Sequence, residues 1–312
     1  MYAITGITGQ VGGALANALL EAGQRVRAVV RDARKGDAWR ARGCEVAVAT
    51  MTDADALAQA FEGAHGVFIL LPPEFDPAPG FPEAREVIDA IVAAVSRAKP
   101  RRIVCLSTIG AQAAQENLLT QHTLLQEALV SQPIPVTFLR PGWFMENSAW
   151  DVQSAREEGI VHSFLQPLDR AIPMIATGDI GKAAAKLLQE AWQGHRVVEL
   201  EGPKRVSPDD IARAFATVLG KPVRAQAVPR DTWQALFEQQ GMRHPMPRIR
   251  MLDGFNEGWI DFEKPRDEII KGDESLESVI RKLVAWGDHF SLACATSSSR
   301  SQPPPSARNR FT

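Results

Sequence analysis

Thr5-Gly6-Ile7-Thr8-Gly9-Gln10-Val11-Gly12 lies between a short apolar run, Tyr2 to Thr5, and a helical pattern from Gln10 to Ala22. Val11, Leu15, Ala18, Leu19 and Ala22 share one face of that helix, and Gly23 stops it. Glycines at this spacing often occur by chance, but between a strand and a helix they have a physical use. Gly6 would allow a tight turn, Gly9 would let backbone approach a pyrophosphate, and Gly12 would let the helix pack near the sheet. Free N–H groups of the first helical turn would face the phosphates. The segment therefore reads as a dinucleotide-binding turn, against the alternative of a glycine turn that binds nothing.

The chain around it alternates strand and helix patterns. Strands are expected at Arg25 to Val30, Glu45 to Ala49, Gly66 to Leu71, Ile103 to Ser107 and Val136 to Leu139. Gly66 to Leu71 is apolar throughout, as a parallel strand covered on both faces should be. Helices fall between them: one from Asp53 to Gly63, one with its stripe at Val87, Ile88, Ile91, Val92 and Val95, and one from Asn117 to Ser131. This alternation predicts an α/β, Rossmann-type, doubly wound parallel sheet over residues 1–150. Residues 151–290 predict a smaller, mostly helical C-terminal lobe, with a strand near 196–200 returning to the sheet. Its helices are expected at Asp179–Trp192, Pro208–Leu219, Thr232–Gln240 and Leu276–Trp286, with a short strand at Ile172–Ile175. Residues 291–312 are rich in Ser, Pro and Arg without periodicity and read as a disordered tail.

With 312 residues, 45% of them hydrophobic, the chain can build a sizeable core. A net charge of −2 gives no electrostatic case for nucleic acid or an anionic membrane as partner. Three scattered cysteines, Cys44, Cys105 and Cys294, show no metal-ligand spacing and fit a reduced, cytoplasmic protein. There is no membrane-length apolar run, and Met1 leads straight into a strand rather than a signal peptide. A small-molecule substrate is the expected partner, and a homodimer is allowed.

The end of the second strand reports on the nucleotide. Arg31, with Arg34 and Lys35 in the next turn, suits a 2′-phosphate and favours NADP, while Asp32 keeps NAD open through a ribose hydroxyl. Thr52 and Asp53 follow the third strand, where they could bind adenine, or Asp53 could cap the next helix. Leu71 and Pro72 end the fourth strand at the edge where open α/β sheets hold ligands.

Short-chain dehydrogenases usually act through a Tyr-x-x-x-Lys pair after the fifth strand. Here the single tyrosine is Tyr2, and no lysine lies between Lys99 and Lys182. That pair is absent. The region offers Ser107 and His122, the latter able to orient a nicotinamide ribose or supply a proton, or simply to sit on the helix as a surface residue. Pro141 and Gly142 break the sixth strand, and Trp143 and Phe144 could wall a nicotinamide or plug the core between sheet and lobe.

At these residues the chain resembles the NmrA-like branch of the atypical short-chain dehydrogenase/reductase superfamily. The likeness rests on TGITGQVG, on VVRDARK after the second strand and on TD at 52–53. It continues through STIG, His122 with Glu127, TFLRPGWFMEN and ATGDIGKAA at 176–184. The resemblance implies that Gly6, Thr8, Gly9, Gln10 and Val11 hold the pyrophosphate and that Arg31 to Lys35 hold the adenosine 2′-phosphate. It places Pro141 to Phe144 on the nicotinamide side; many members carry a lysine near the position of His122. Family members include NAD(P)H-dependent quinone and triphenylmethane dye reductases, and also a fungal regulator that binds the nucleotide and partner proteins. The expectation is an NADPH-dependent reductase of a quinone or delocalised cation; the alternative is an NADP(H) sensor acting through a protein partner. A quinone or such a cation can take hydride without a strongly basic alkoxide having to be protonated, so the missing pair does not forbid turnover.

Overall fold

The computed structural model describes residues 1–296, with side-chain surroundings through residue 286. The first half alternates as its patterning requires. In order come β1 (Tyr2–Ile4), α1 (Gln10–Glu21), β2 (Val26–Val30), α2 (Asp37–Arg40), β3 (Glu45–Val48), α3 (Ala54–Phe61) and β4 (Gly66–Leu70). They are followed by α4 (Pro82–Ala98), β5 (Ile103–Leu106), α5 (Thr120–Val130) and β6 (Val136–Pro141).

Side chains on successive strand residues point to opposite faces, and the two faces hold separate apolar clusters. Tyr2, Ile4, Phe68, Val104 and Leu139 pack beneath Val11, Leu15 and Leu19 of α1. Ala3, Val67, Ile69, Cys105 and Phe138 pack beneath Leu57 of α3, Ile91 of α4 and Leu125 of α5. Helices on both faces leave these strands no room for polar alternation, and so they read as continuous apolar runs.

The second half runs β7 (Trp143–Phe144), α6 (Val152–Glu157), β8 (Ile160–Ser163), β9 (Met174–Ile175), α7 (Thr177–Gln189) and β10 (His195–Glu201). After these come α8 (Pro208–Leu219), β11 (Arg224–Ala227), α9 (Trp233–Gln239), α10 (Met246–Glu257), β12 (Ile270–Lys271) and α11 (Leu276–Thr296). Helix α11 takes in 291–296 of the segment expected as a tail, and the rest of that segment, 297–312, lies outside the described residues.

Eight strands form one sheet in the order β12-β10-β6-β5-β4-β1-β2-β3, and every neighbouring pair is parallel. The chain starts at β1, winds outward to β3, then returns to β4 on the other side of β1. The strand order therefore reverses between β1 and β4, which opens a crevice at their carboxyl ends. A third apolar cluster, with Phe215, Trp233, Phe237, Ile249 and Phe255, lies among the C-terminal elements.

Strand β6 continues through Pro141, so that proline does not break it. Pro141 stands opposite Leu200 of β10, and its carbonyl accepts from Ile109 N–H at 2.9 Å. Its missing N–H costs nothing at a strand's last position. Of the expected strand at Ile172–Ile175 only Met174–Ile175 forms, because Ile172 pairs antiparallel with Val206 instead.

Helix α7 lies against α1 at Gly181, where an added Cβ would stand 2.5 Å from Ala14 Cβ and 2.6 Å from the Leu15 nitrogen. Gly181→Ala should therefore destabilise the protein by about 1–3 kcal/mol through overpacking. Gly178, one helical turn earlier, has only Glu274 Oε2 at 3.5 Å from the same position. Gly178→Ala should be neutral or stabilising by up to about 1 kcal/mol. Urea unfolding of both variants checks the contrast.

Candidate functional site

The glycine turn is held at the crevice by Thr5. Its N–H and hydroxyl both donate to the Phe68 carbonyl, at 3.1 and 3.0 Å, and its hydroxyl oxygen accepts from Leu70 N–H at 3.1 Å. These bonds tie the ends of β1 and β4 across the point where strand order reverses. Gly6 turns with φ +63°, and a Cβ there would lie 2.3 Å from Leu70 Cδ2. Only glycine fits. Gly9 is the N-cap of α1, with no side chain capping the helix and no acidic residue in its first turn. The amides of Gln10, Val11 and Gly12 thus keep their positive end open to an anion. Gly12 serves a different contact from the one expected: a Cβ would lie 2.3 Å from the Gly6 carbonyl oxygen, so it lets the helix close onto the turn rather than onto the sheet. Thr8 is exposed at the tip of the turn.

Beside the turn, the residues after β2 divide their charges. Asp32 caps the short helical turn Ala33–Gly36 by accepting Arg34 N–H at 3.0 Å, and the Arg34 guanidinium also binds it at 3.0 Å. These bonds from Arg34 hold the Asp32 carboxyl below its ordinary range. Asp32 is therefore occupied. Arg31 and Lys35 are exposed, and their side chains make no hydrogen bond or ion pair among the described residues. Thr52 is exposed, and Asp53 caps α3 through Asp55 N–H at 3.1 Å and Ala56 N–H at 2.9 Å.

Gln10 reaches away from the turn: its Oε1 lies 3.0 Å from the Thr177 hydroxyl, which also stands 2.6 Å from Glu146 Oε1. The Glu146 carboxylate caps α7 by accepting Thr177 N–H at 2.9 and 3.0 Å. Burial raises the Glu146 carboxyl above its usual range despite those bonds.

Leu71, Pro72 and His122 line one cleft of about 80 Å³, together with Phe75 and Gln121. Burial lowers the His122 imidazole to about 4, and its Nδ1 has no partner. It is neutral at physiological pH. Ser107 is buried at the end of β5, where Gln126 donates to its hydroxyl; Gln126 in turn accepts from Arg140 Nη2 at 2.8 Å. Arg140 also pairs with Glu263, whose N–H donates to Glu199 at 3.0 Å. This polar chain fixes the carboxyl ends of β5 and β6. Trp143 meets Phe255 edge-on, with ring centroids 5.2 Å apart, and packs on the C-terminal cluster, whereas Phe144 packs on the α1 side of the sheet. Pro141 and Gly142 are buried, and a Gly142 Cβ would lie 2.6 Å from the Pro173 carbonyl oxygen.

Sequence reasoning missed Thr5, Gln121, Gln126 and the Arg140–Glu199–Glu263 chain. A single Arg at the end of one apolar strand and two Glu residues, Glu199 and Glu201, at the end of another were the signal, since buried charges come paired.

The model of the NmrA-like family matches residues 2–267. The chain belongs to that family. An NAD(P)H azoreductase of Xenophilus azovorans is 28% identical over 261 residues, covering 82% of this chain and 85% of that protein. Quinone oxidoreductase 2 of Escherichia coli (strain K12) is 28% identical over 244 residues, covering 78% and 82%. The triphenylmethane reductase of Citrobacter sp., solved with NADP(H), superposes with a TM-score of 0.74 at 21% identity, covering 90% of this chain and 99% of that one. That likeness shows a shared fold.

The His122 environment gives a pH test. The unfolded imidazole binds a proton near pH 6.5 and the folded one only near 4, so stability should fall as pH is lowered through that window. Asp151, whose carboxyl burial raises to about 7, works oppositely, losing stability as pH rises from about 4 to about 7. Comparing His122→Leu with the unaltered chain cancels the Asp151 contribution. The variant should gain on the unaltered chain by roughly 2 kcal/mol as pH falls from 7 to 4, read by denaturant midpoints.

Proposed function

We propose that this chain is an NADPH-dependent reductase that delivers hydride to a small conjugated acceptor, a quinone or a delocalised cation. The observation that carries the cofactor is the division of charge after β2. Arg31 and Lys35 are free for a 2′-phosphate, while the one acid that could receive a ribose hydroxyl is spent on Arg34. The cradle also fits, because the first amides of α1 have no side-chain cap and no acidic residue beside them, which leaves them open to a pyrophosphate. Thr8, Gly9, Gln10 and Val11 complete that contact, with Thr52 and Asp53 beside the adenine and Leu71, Pro72, Ser107 and His122 beside the nicotinamide ribose.

The bound NADPH supplies the hydride, and the protein's work is placement. Pro141 to Phe144 end the strand beside the nicotinamide and wall the acceptor. His122 is neutral, so it can hydrogen-bond but not deliver a proton as an imidazolium. An acceptor whose reduction leaves no strongly basic alkoxide needs no such acid, and simple ketones should be poor substrates. The named activities of the azoreductase and quinone oxidoreductase relatives support turnover over a purely sensing role.

We read residues 1–150 as the cofactor-binding part and 151–290 as the substrate lobe. The reading takes the enzyme as cytoplasmic, with no nucleic-acid partner and with a homodimer allowed. No helix among the described residues is long and apolar enough to cross a membrane.

NADPH oxidation should be measured with quinones, azo dyes, triphenylmethane cations and a simple ketone. Turnover is expected with the quinones or the triphenylmethane cations and not with the ketone; silence with both of those classes sinks the reading. Arg31→Ala combined with Lys35→Ala should raise the KM for NADPH about 10- to 100-fold. Activity with NADH should change less than about threefold, because NADH carries no 2′-phosphate for these cations to bind.

A further inference from the structure

Gln121 is 4% exposed and lies in the wall of the cleft that also holds Leu71, Pro72 and His122. The orientation of its amide is set by its own hydrogens. Nε2 donates to the carbonyls of Glu74 and Leu118, both at 3.0 Å. Both carbonyls can only accept, so turning the amide over would set oxygen against oxygen twice. The two N–H bonds are thereby spent. Oε1 remains buried with no donor, and His122 Nδ1 beside it in the chain is also unpartnered. A buried acceptor held in one orientation without a donor is costly for the chain and is normally satisfied. The cleft has room for one small polar group.

We infer that Gln121 is a ligand-binding residue whose amide oxygen accepts a hydrogen bond from an N–H or O–H of the bound molecule at the nicotinamide end of the crevice. This rests on the NADPH-reductase reading above. It explains why a glutamine, with two donors to pin the loop and one acceptor to offer, occupies the position. The same amide that recognises the ligand anchors Glu74 of the loop above it, so ligand and loop are read together. Two groups carry the required donor: the carboxamide of the nicotinamide, or an amino or hydroxyl group on the acceptor. A molecule without the donor leaves Oε1 unpaired and is discriminated against.

Removing the side chain also loosens the loop, so a second variant must separate the two effects. The loop's other tie is Asp76, whose carboxylate accepts Arg243 N–H at 3.0 and 2.9 Å and His244 N–H at 2.6 Å. The unaltered chain, Gln121→Met and Asp76→Ala are compared on two ligand pairs. The first is NADPH against its 3-acetylpyridine analogue, whose methyl ketone has no N–H, read as Kd. The second is an amino-bearing triphenylmethane cation against its fully N-alkylated counterpart, read as KM and kcat. The unaltered chain should prefer the donor-bearing member of one pair by about tenfold. Gln121→Met should erase that preference, and Asp76→Ala should weaken both members alike. Loss on the dinucleotide pair makes the carboxamide the donor; loss on the dye pair makes it the acceptor. No preference in the unaltered chain, or a preference that survives in Gln121→Met, overturns the assignment while leaving NADPH binding intact. An unaltered chain that binds neither dinucleotide overturns this assignment and the reading beneath it together.

Discussion

The approach of Gly6 to Leu70 is the constraint on which the crevice depends. The chain must leave β1, reverse within a few residues and enter α1 while the neighbouring strand's leucine occupies the space a side chain would need. Thr5 makes that geometry rigid because its hydroxyl satisfies two backbone groups of β4, the Phe68 carbonyl and the Leu70 N–H, so the turn is fixed to β4 as well as to its own strand. Gly12 then allows the helix to close on the turn it leaves. The open amides of α1 are held in place by these steric fits, without any charged side chain.

Around that fixed point the structure uses polar groups sparingly. Arg140 is buried at the end of β6, where its partners come from α5 and from the segment holding Glu263, so the sheet edge and the C-terminal elements share one charge network. Asp179 plays a similar part from α7, accepting the N–H groups of Asp273 and Glu274 at 2.8 Å. The loop after β4 is pinned to the lobe by Asp76 and to α5 by Gln121. Each contact joins an element of the sheet to a segment far along the chain, which is how two halves with separate apolar clusters come to bound a single crevice.

The alternating half was legible in the sequence because parallel strands buried on both faces leave long apolar runs, and every expected strand there formed within a residue or two of its place. The lobe was less so. Helix α10 is not among the expected helices: it begins beside Pro245 and Pro247, although a first helical turn tolerates proline because its N–H has no partner anyway. Strands β8 and β11 are four residues each and pair only with each other, so neither carries a pattern long enough to stand out. Within the site, the charges after β2 could be read from residue type, but their division could not. That Asp32 turns to Arg34 is a matter of side-chain direction. The orphaned oxygen of Gln121 was equally invisible, since it depends on two carbonyls brought from Glu74 and Leu118.

The cysteines have a consequence for chemistry rather than for folding. Cys105 is fully buried in the sheet core, where desolvation drives its thiol far above the ordinary range, and burial raises Cys44 as well. Quinones are electrophiles that add to thiolates, and the thiolate is the reactive form of cysteine. Neither residue offers one at neutral pH. At both positions, the fold withholds the thiolate that an electrophile of that kind would attack.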